Sequence, residues 1–384
     1  MPESRLSHRV LVLSPYSKGS ARGNAATALR TATRLEQSGA TTRIVQVNPD
    51  EVATAIHDFK PDVLHGIHVG HSLRGLGGDP ANIPALPIVL GIGGNDLFED
   101  LGVDPSTSEG EIHNVEARPA SIEFIRLASS VVVATKAQYD AAAGLQGSSA
   151  SVFLAPRFPE VGHQPIAGLE ELILRSAAAS GKPQGDLTHK RSEQPRPGPR
   201  PKTIAWSGAL RHQKRPEWIV PIHRALRSEL PDLVTIVAGP EPRNESERAF
   251  ANVLAAEPGI ALLPPFPGGG PGIGATGTLL GVADVVLNTS RTEGMSNFIL
   301  EAIAEATPIV ASNTPGNRDW ITNQAMLFDT EKQAVLHLRA LLLDASLAKT
   351  QAAIATTWLS ETASPRAEAA AICKAHEAAL SDRG

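Results

Sequence analysis

Asp284–Trp320 reads DVVLNTSRTEGMSNFILEAIAEATPIVASNTPGNRDW. The apolar run after Asp284 predicts a buried strand ending at Asn288, then a polar loop, then a helix beginning near Asn297, whose side chain can cap it. Phe298, Ile299, Leu300 and Ile303 make that helix apolar over much of its girth, so it packs deep in its domain. Pro308–Ala311 follows as the next strand. Strand, helix and strand in this order form a unit of a parallel sheet. In such sheets ligands bind beyond the carboxyl ends of strands, where helix N-termini point their free N–H groups outward. The loop before Asn297 is therefore where chemistry is expected. Glu293 lies in it, and Glu301 lies one turn inside the helix. Spacing alone leaves two readings open. The carboxylates face one cleft and accept hydrogen bonds from sugar hydroxyls without a metal, or Glu293 is solvated and Glu301 is paired on the helix flank.

The same alternation runs outward in both directions. Strand signals at Val10–Leu13, Thr42–Val47, Val63–His68, Pro87–Gly91, Ser130–Ala134 and Ser151–Ala155 alternate with helix signals, among them Ala25–Leu35 and Glu51–Phe59. Gly181–Lys202 is rich in proline and basic residues, almost free of apolar ones, and reads as a linker or loop. The alternation restarts with Thr203–Trp206, Pro216–Glu229, Leu233–Ala238, Glu245–Ala256 and Ile260–Leu263. At 384 residues the chain exceeds the size of one usual core. The expected domains are 1–180, a linker at 181–202, a second domain at 203–361, and a C-terminal helix within 362–384 that crosses back to the first. The fold class is α/β, with two doubly wound parallel sheets.

Composition narrows the function classes. A net charge of −5 disfavours nonspecific binding to nucleic acid or anionic lipid. The single cysteine, Cys373, cannot form an internal disulfide, which fits a reducing, cytoplasmic setting. No run is long enough to span a bilayer. The oligomeric state is not legible.

Thr203–Trp218 reads TIAWSGALRHQKRPEW, a strand, a turn and a helix start with Arg211 and Lys214 in the turn. Two cations there suit a departing diphosphate, although loop cations are often merely solvated. Together, Glu293 and Glu301 within SRTEGMSNFILEAIAEATPIVAS, the trailing Pro315-Gly316-Asn317, this turn, and VTIVAGPEP resemble the retaining family 4 glycosyltransferases of the GT-B fold. That resemblance implies two Rossmann-like domains with a cleft between them, and a retaining transfer from a nucleotide-sugar, UDP-sugar foremost. No metal and no further cofactor is implied. By the resemblance Glu293, Arg211, Lys214 and His68 are catalytic. Gly208, Gly239, Pro240, Gly294, Met295, Ser296 and Asn297 bind the donor, and Glu301 holds its ribose. The family places an Arg directly after the first glycine, where this chain has Ala209, so Arg211 must serve instead.

RGNAATALRTATRLEQSGA, IHVGHSLRG and LGIGGNDLFEDL are similar to the animal glycosyltransferase-1-domain-containing proteins and to the bacterial selenosugar synthases. This likeness implies acceptor-side roles for Gly23, Asn24, Gly94, Asn95 and Asp96, and a small acceptor, with selenophosphate, giving a selenosugar, among the candidates. A glycan or lipid-linked acceptor is the alternative. His68 could instead be a core histidine, and Asp96 could cap the turn before Leu97. A non-catalytic sugar-nucleotide-binding protein remains a rival class.

Two motifs carry less. Gly272–Gly277 (GIGATG) matches a dinucleotide-binding pattern, but little room for a helix follows and it reads as a loop. Gly70-His71-Ser72-Leu73-Arg74-Gly75 resembles a serine-hydrolase elbow, but Arg74 stands where the turn needs a small residue, so Ser72 is a weak nucleophile candidate.

Overall fold

The computed structural model describes residues 8–17, 23–93, 97, 118–146, 151–159, 161–179, 200–263, 275–318, 321 and 326–381. In chain order the first part runs β1 (Arg9–Ser14), α1 (Gly23–Gln37), β2 (Thr41–Gln46), α2 (Pro49–Phe59), β3 (Val63–Ile67), α3 (Val69–Gly75), β4 (Ile88–Gly91), α4 (Arg118–Leu127), β5 (Ser130–Val133), α5 (Lys136–Leu145), β6 (Ser151–Leu154) and α6 (Leu169–Ala178). The second part runs β7 (Thr203–Ser207), α7 (Ile219–Arg227), β8 (Val234–Ala238), α8 (Glu245–Ala256), β9 (Ile260–Leu262), α9 (Thr276–Val282), β10 (Val285–Asn288), α10 (Asn297–Ala304), β11 (Ile309–Ser312), α11 (Pro315–Arg318), β12 (Leu327–Phe328), α12 (Glu331–Leu343), α13 (Ala345–Thr362) and α14 (Pro365–Ser381).

The strands form two parallel six-stranded sheets, in the orders β2-β1-β3-β4-β5-β6 and β12-β11-β10-β7-β8-β9. Their central strands are apolar because helices cover both faces; Val10–Leu13 and Ile204–Ala205 are wholly buried. In each sheet the chain winds outward in both directions from a switch point, β1/β3 in the first and β7/β10 in the second. Loops leaving adjacent strands diverge there and open a crevice.

Each sheet receives a helix from outside its own run of strands. On α14, Ile372, Cys373, Ala375 and Ala379 enter the first core with Val10, Val12, Ala28 and Leu35. His376 on the same helix is buried between His8, at 3.4 Å, and His65, at 2.9 Å. Burial lowers the basicity of both inner rings, His65 to about 4, so the three are joined as neutral imidazoles. In return Leu169, Ile173 and Ala177 of α6 pack with Val234, Ile236 and Ala261 of the second sheet. The expected limit at residue 180 thus cuts behind a helix that packs with the second sheet. Its amphipathic pattern is the same whichever sheet it faces, so sequence could not assign it.

Other differences are local. Val69–Gly75 is a short helix, and Ser72 within it is fully buried, its hydroxyl donating to the carbonyl of Ile67. It cannot act as an exposed nucleophile. Thr276–Val282 is helical where a loop was expected, residues 272–274 of that glycine motif lying outside the described residues, as do residues 181–199 of the linker. No helix among the described residues is long and apolar enough to cross a membrane.

Candidate active site

The loops leaving both switch points meet in a cleft of about 220 Å³. Its C-terminal wall is built from the loops after β7 and β10, which brace one another. Trp206 Nε1 donates to Thr289 Oγ1 (3.0 Å), which donates to the carbonyl of Lys214 (2.6 Å), and Arg291 N donates to the carbonyl of Gln213 (2.8 Å). Arg215, held at φ 46°, stacks over Trp218 and donates to the carbonyl of Ser290 (3.2 Å). Two glycines permit this packing. A Cβ on Gly239 would stand 2.2 Å from Gly208 O, and one on Gly316 would stand 2.0 Å from Glu293 O.

Glu293 sits at the centre of this wall. Its Oε1 accepts from Ser290 Oγ (2.6 Å) and Asn288 Nδ2 (3.1 Å) and forms an ion pair with Lys214 Nζ. Burial works against its charge, but Lys214 and the two hydrogen bonds outweigh it and hold the carboxyl below its ordinary range. Glu293 is thus an ionised acceptor at the cleft wall. Arg211 also lines the cleft, and its buried Nε has no hydrogen-bond partner among the described residues.

The helix start departs from expectation. Ser296, not Asn297, is the N-cap of α10, and its side chain makes no capping bond. Asn297 is the first helical residue, and its side chain reaches across the cleft, donating to Gly23 O (3.5 Å) and accepting from Arg30 Nη1 (3.5 Å). The first N–H groups of α10 are therefore left without a side-chain cap, next to Gly294, Met295 and Ser296, which line the cleft.

Glu301 does not share the cleft wall with Glu293. It is 2% exposed, and its Oε2 has no partner among the described residues. Burial raises its pKa to about 8, against a hydrogen bond from Thr276 and the pull of Arg30.

The N-terminal wall comes from separate segments. His68 closes β3 with φ 77° and ψ 119°, a backbone conformation costly for a side chain with a Cβ. Its amide donates to Gly91 O (3.1 Å), its Nδ1 accepts from His71 N (3.5 Å), and its ring meets His71 edge-on at 4.5 Å. Gly23 and Asn24 open α1 on the same wall. Arg243, beyond β8, lies over the ring of Tyr16 at 5.1 Å and joins the two walls.

Of the predicted residues, Gly23, Asn24, His68, Gly208, Arg211, Lys214, Pro240, Glu293, Gly294, Met295, Ser296 and Asn297 line this cleft, whereas Gly239 packs behind Gly208. Gly94, Asn95 and Asp96 lie outside the described residues; Gly93 beside them lines the cleft. Sequence reasoning missed Tyr16, His71 and Arg157. Arg157 carried one usable signal, a lone cation just past the carboxyl end of a strand in FLAPRFPE.

Residues 201–344 match the family described as glycosyl transferases group 1. The whole chain is similar in fold to sucrose-phosphate synthase from Thermosynechococcus elongatus, with a TM-score of 0.74 at 10% identity over 98% of this chain and 100% of that one. It is likewise similar to an alpha,alpha-trehalose 6-phosphate synthase from Burkholderia multivorans, with a TM-score of 0.65 at 11% identity over 99% and 100%. TarM of S. aureus, solved with Fondaparinux, alpha-GlcNAc-glycerol and UDP, gives a TM-score of 0.56 at 14% identity over 83% of this chain and 55% of that one. The fold is that of the GT-B glycosyltransferases.

Proposed function

We propose that this chain is a retaining glycosyltransferase that moves a sugar from a nucleoside-diphosphate sugar to a small acceptor, without a metal. One observation carries the reading. An ionised Glu293, fixed by Lys214, stands before the uncapped N-terminus of α10 and shares one cleft with the strained His68. The group 1 domain match over residues 201–344 supports it, and the UDP in the TarM structure supports a uridine donor.

In this reading the diphosphate lies on the N–H groups of Gly294–Asn297, with Arg211 and Lys214 neutralising the charge that develops on departure. Gly208, Gly239 and Pro240 shape the loops around it. Glu293 and His68 orient the sugar. For the ribose to meet Glu301, donor binding must expose its Oε2, which is buried and lacks a partner among the described residues. The anomeric carbon–oxygen bond breaks as the acceptor attacks from the same face, and the acceptor's proton passes to the departing β-phosphate oxygen. No separate base is then required. The acceptor approaches from Gly23, Asn24 and the segment containing Gly94, Asn95 and Asp96. Selenophosphate is one acceptor to try, a glycan or lipid-linked acceptor the other. The domains are then 1–180, a linker at 181–202, 203–361, and a C-terminal helix within 362–384 that crosses back to the first domain, with α6, at the end of 1–180, packed against the second sheet.

The test is a screen of nucleotide-sugars for binding and for donor hydrolysis, with and without selenophosphate. Glu301→Ala should weaken nucleotide-sugar binding by about tenfold. Binding without turnover of any acceptor would make the chain a non-catalytic binding protein. Wild-type affinity in Glu301→Ala would sink the ribose assignment.

A further inference from the structure

We propose that Arg157 is a phosphoryl-binding residue of the cleft, taking oxygens of the donor diphosphate or of a phosphorylated acceptor bound beside it. This rests on the glycosyl-transfer reading above. Arg157 follows β6, the edge strand of the first sheet, at the carboxyl end where ligands gather. Prolines at 156 and 159 restrict the backbone on either side. The neighbouring amide of Phe158 donates to Glu368 Oε2 (3.3 Å). Glu368 is itself buried on α14, where Arg30 Nε (2.9 Å) and Arg34 Nε (3.3 Å) already answer its charge. The segment is therefore pinned by its backbone.

The guanidinium is directed at the opposite domain. Arg157 Nη1 donates to the carbonyl of Met295 (3.3 Å), inside the turn that opens α10. Arg157 thus borders two neighbouring spaces. One is the main cleft, where among the described residues Arg211 and Lys214 are the other lining cations and Glu293 the one lining carboxylate. The other is a cavity of about 40 Å³ at the ends of the first sheet's strands, lined by Arg30, Thr27, Thr31, His65 and His68 among others. Its one lining carboxylate among the described residues, Glu368, is occupied by the two arginines of α1. A phosphoryl oxygen within reach of a guanidinium makes a charge-assisted bond, about twice as strong as one between neutral groups, and Arg can hold two such oxygens at once.

The experiment compares wild type, Arg157→Ala and Arg157→Lys by calorimetric titration with UDP, with UMP, and with inorganic phosphate added to UDP-saturated protein. Unliganded melting temperatures control for folding. If Arg157 holds the donor diphosphate, Arg157→Ala weakens UDP about tenfold or more and leaves UMP within about twofold. If it holds an acceptor phosphoryl group, UDP is unchanged and phosphate binding to the UDP complex is lost. Either result supports the proposal and names the source. Arg157→Lys should fall between, keeping charge but not the fork. Affinities within about twofold of wild type for all three ligands, in a folded Arg157→Ala that still turns over donor, would overturn this inference alone. Wild-type protein that binds neither uridine nucleotide would overturn the uridine-donor reading, and one that also binds neither ADP nor GDP would overturn the glycosyl-transfer reading with it.

Discussion

On the C-terminal wall of the cleft, Glu293 draws its hydrogen bonds from Ser290 and Asn288, within five residues of itself, and its ion pair from one neighbouring loop. On the N-terminal wall, His68, Gly23 and Arg157 arrive from three segments far apart in the chain, and those segments are tied to one another mainly through α1, α14 and the strand ends. The first wall is a local motif, rigid because its polar groups satisfy each other. The second is assembled by tertiary packing alone. A donor common to many enzymes suits the first construction, and an acceptor that varies suits the second, because scattered loops can change one at a time.

Removing Lys214 should strike the rigid wall hardest. Lys214→Ala leaves Glu293 buried without its countercharge, which costs about 3 kcal/mol of stability and lowers turnover by about a hundredfold. Denaturant unfolding and single-turnover rates measure both. The double variant Lys214→Ala/Glu293→Gln should recover most of the stability and none of the rate. A Lys214→Ala protein as stable as wild type would show that this wall does not depend on its ion pair.

The second effect is on pH dependence. Glu301 has a carboxyl raised from 4.5 to about 8 in the folded protein, so the folded state keeps its proton longer than the unfolded chain does. The stabilising contribution is complete below pH 4.5 and is lost as pH rises through about 8. Glu301→Gln, permanently neutral, should reduce the drop in melting temperature across that range by about 3 °C or more. An unchanged slope would mean that Glu301 is not the group responsible.

The smallest effect belongs to the assembled wall. His68→Gly relieves the positive φ and should raise stability by about 1 kcal/mol, or roughly 2–4 °C, while turnover falls. His68→Ala keeps the strained Cβ and should gain nothing. A loss of stability in the glycine variant would show that the His68–His71 contact outweighs the strain.

This contrast also explains what the sequence could tell. The donor loop was legible because strand end, loop and helix start are contiguous, and because Ser207–Lys214 leaves the neighbouring strand of the switch point. Asn297 was misread as a cap, since a residue that caps and one that reaches across a cleft share the same side chain. α3 was missed because its glycines resembled a turn. Arg157 was missed because only folding brings it to Met295, and the sheet that α6 joins was hidden for the same reason.

The crossing of α14 has a consequence for synthesis. The strands of the first sheet leave the ribosome early, yet Val10, Val12 and Leu35 lack part of their cover until Ile372 and Ala375 emerge. At about 5–20 residues per second that interval lasts roughly twenty to seventy seconds. His376 must then slot between two histidines already in place. A chain interrupted before α14 keeps an open apolar face, visible to chaperones and proteases, and the N-terminal domain matures only when translation has passed that helix.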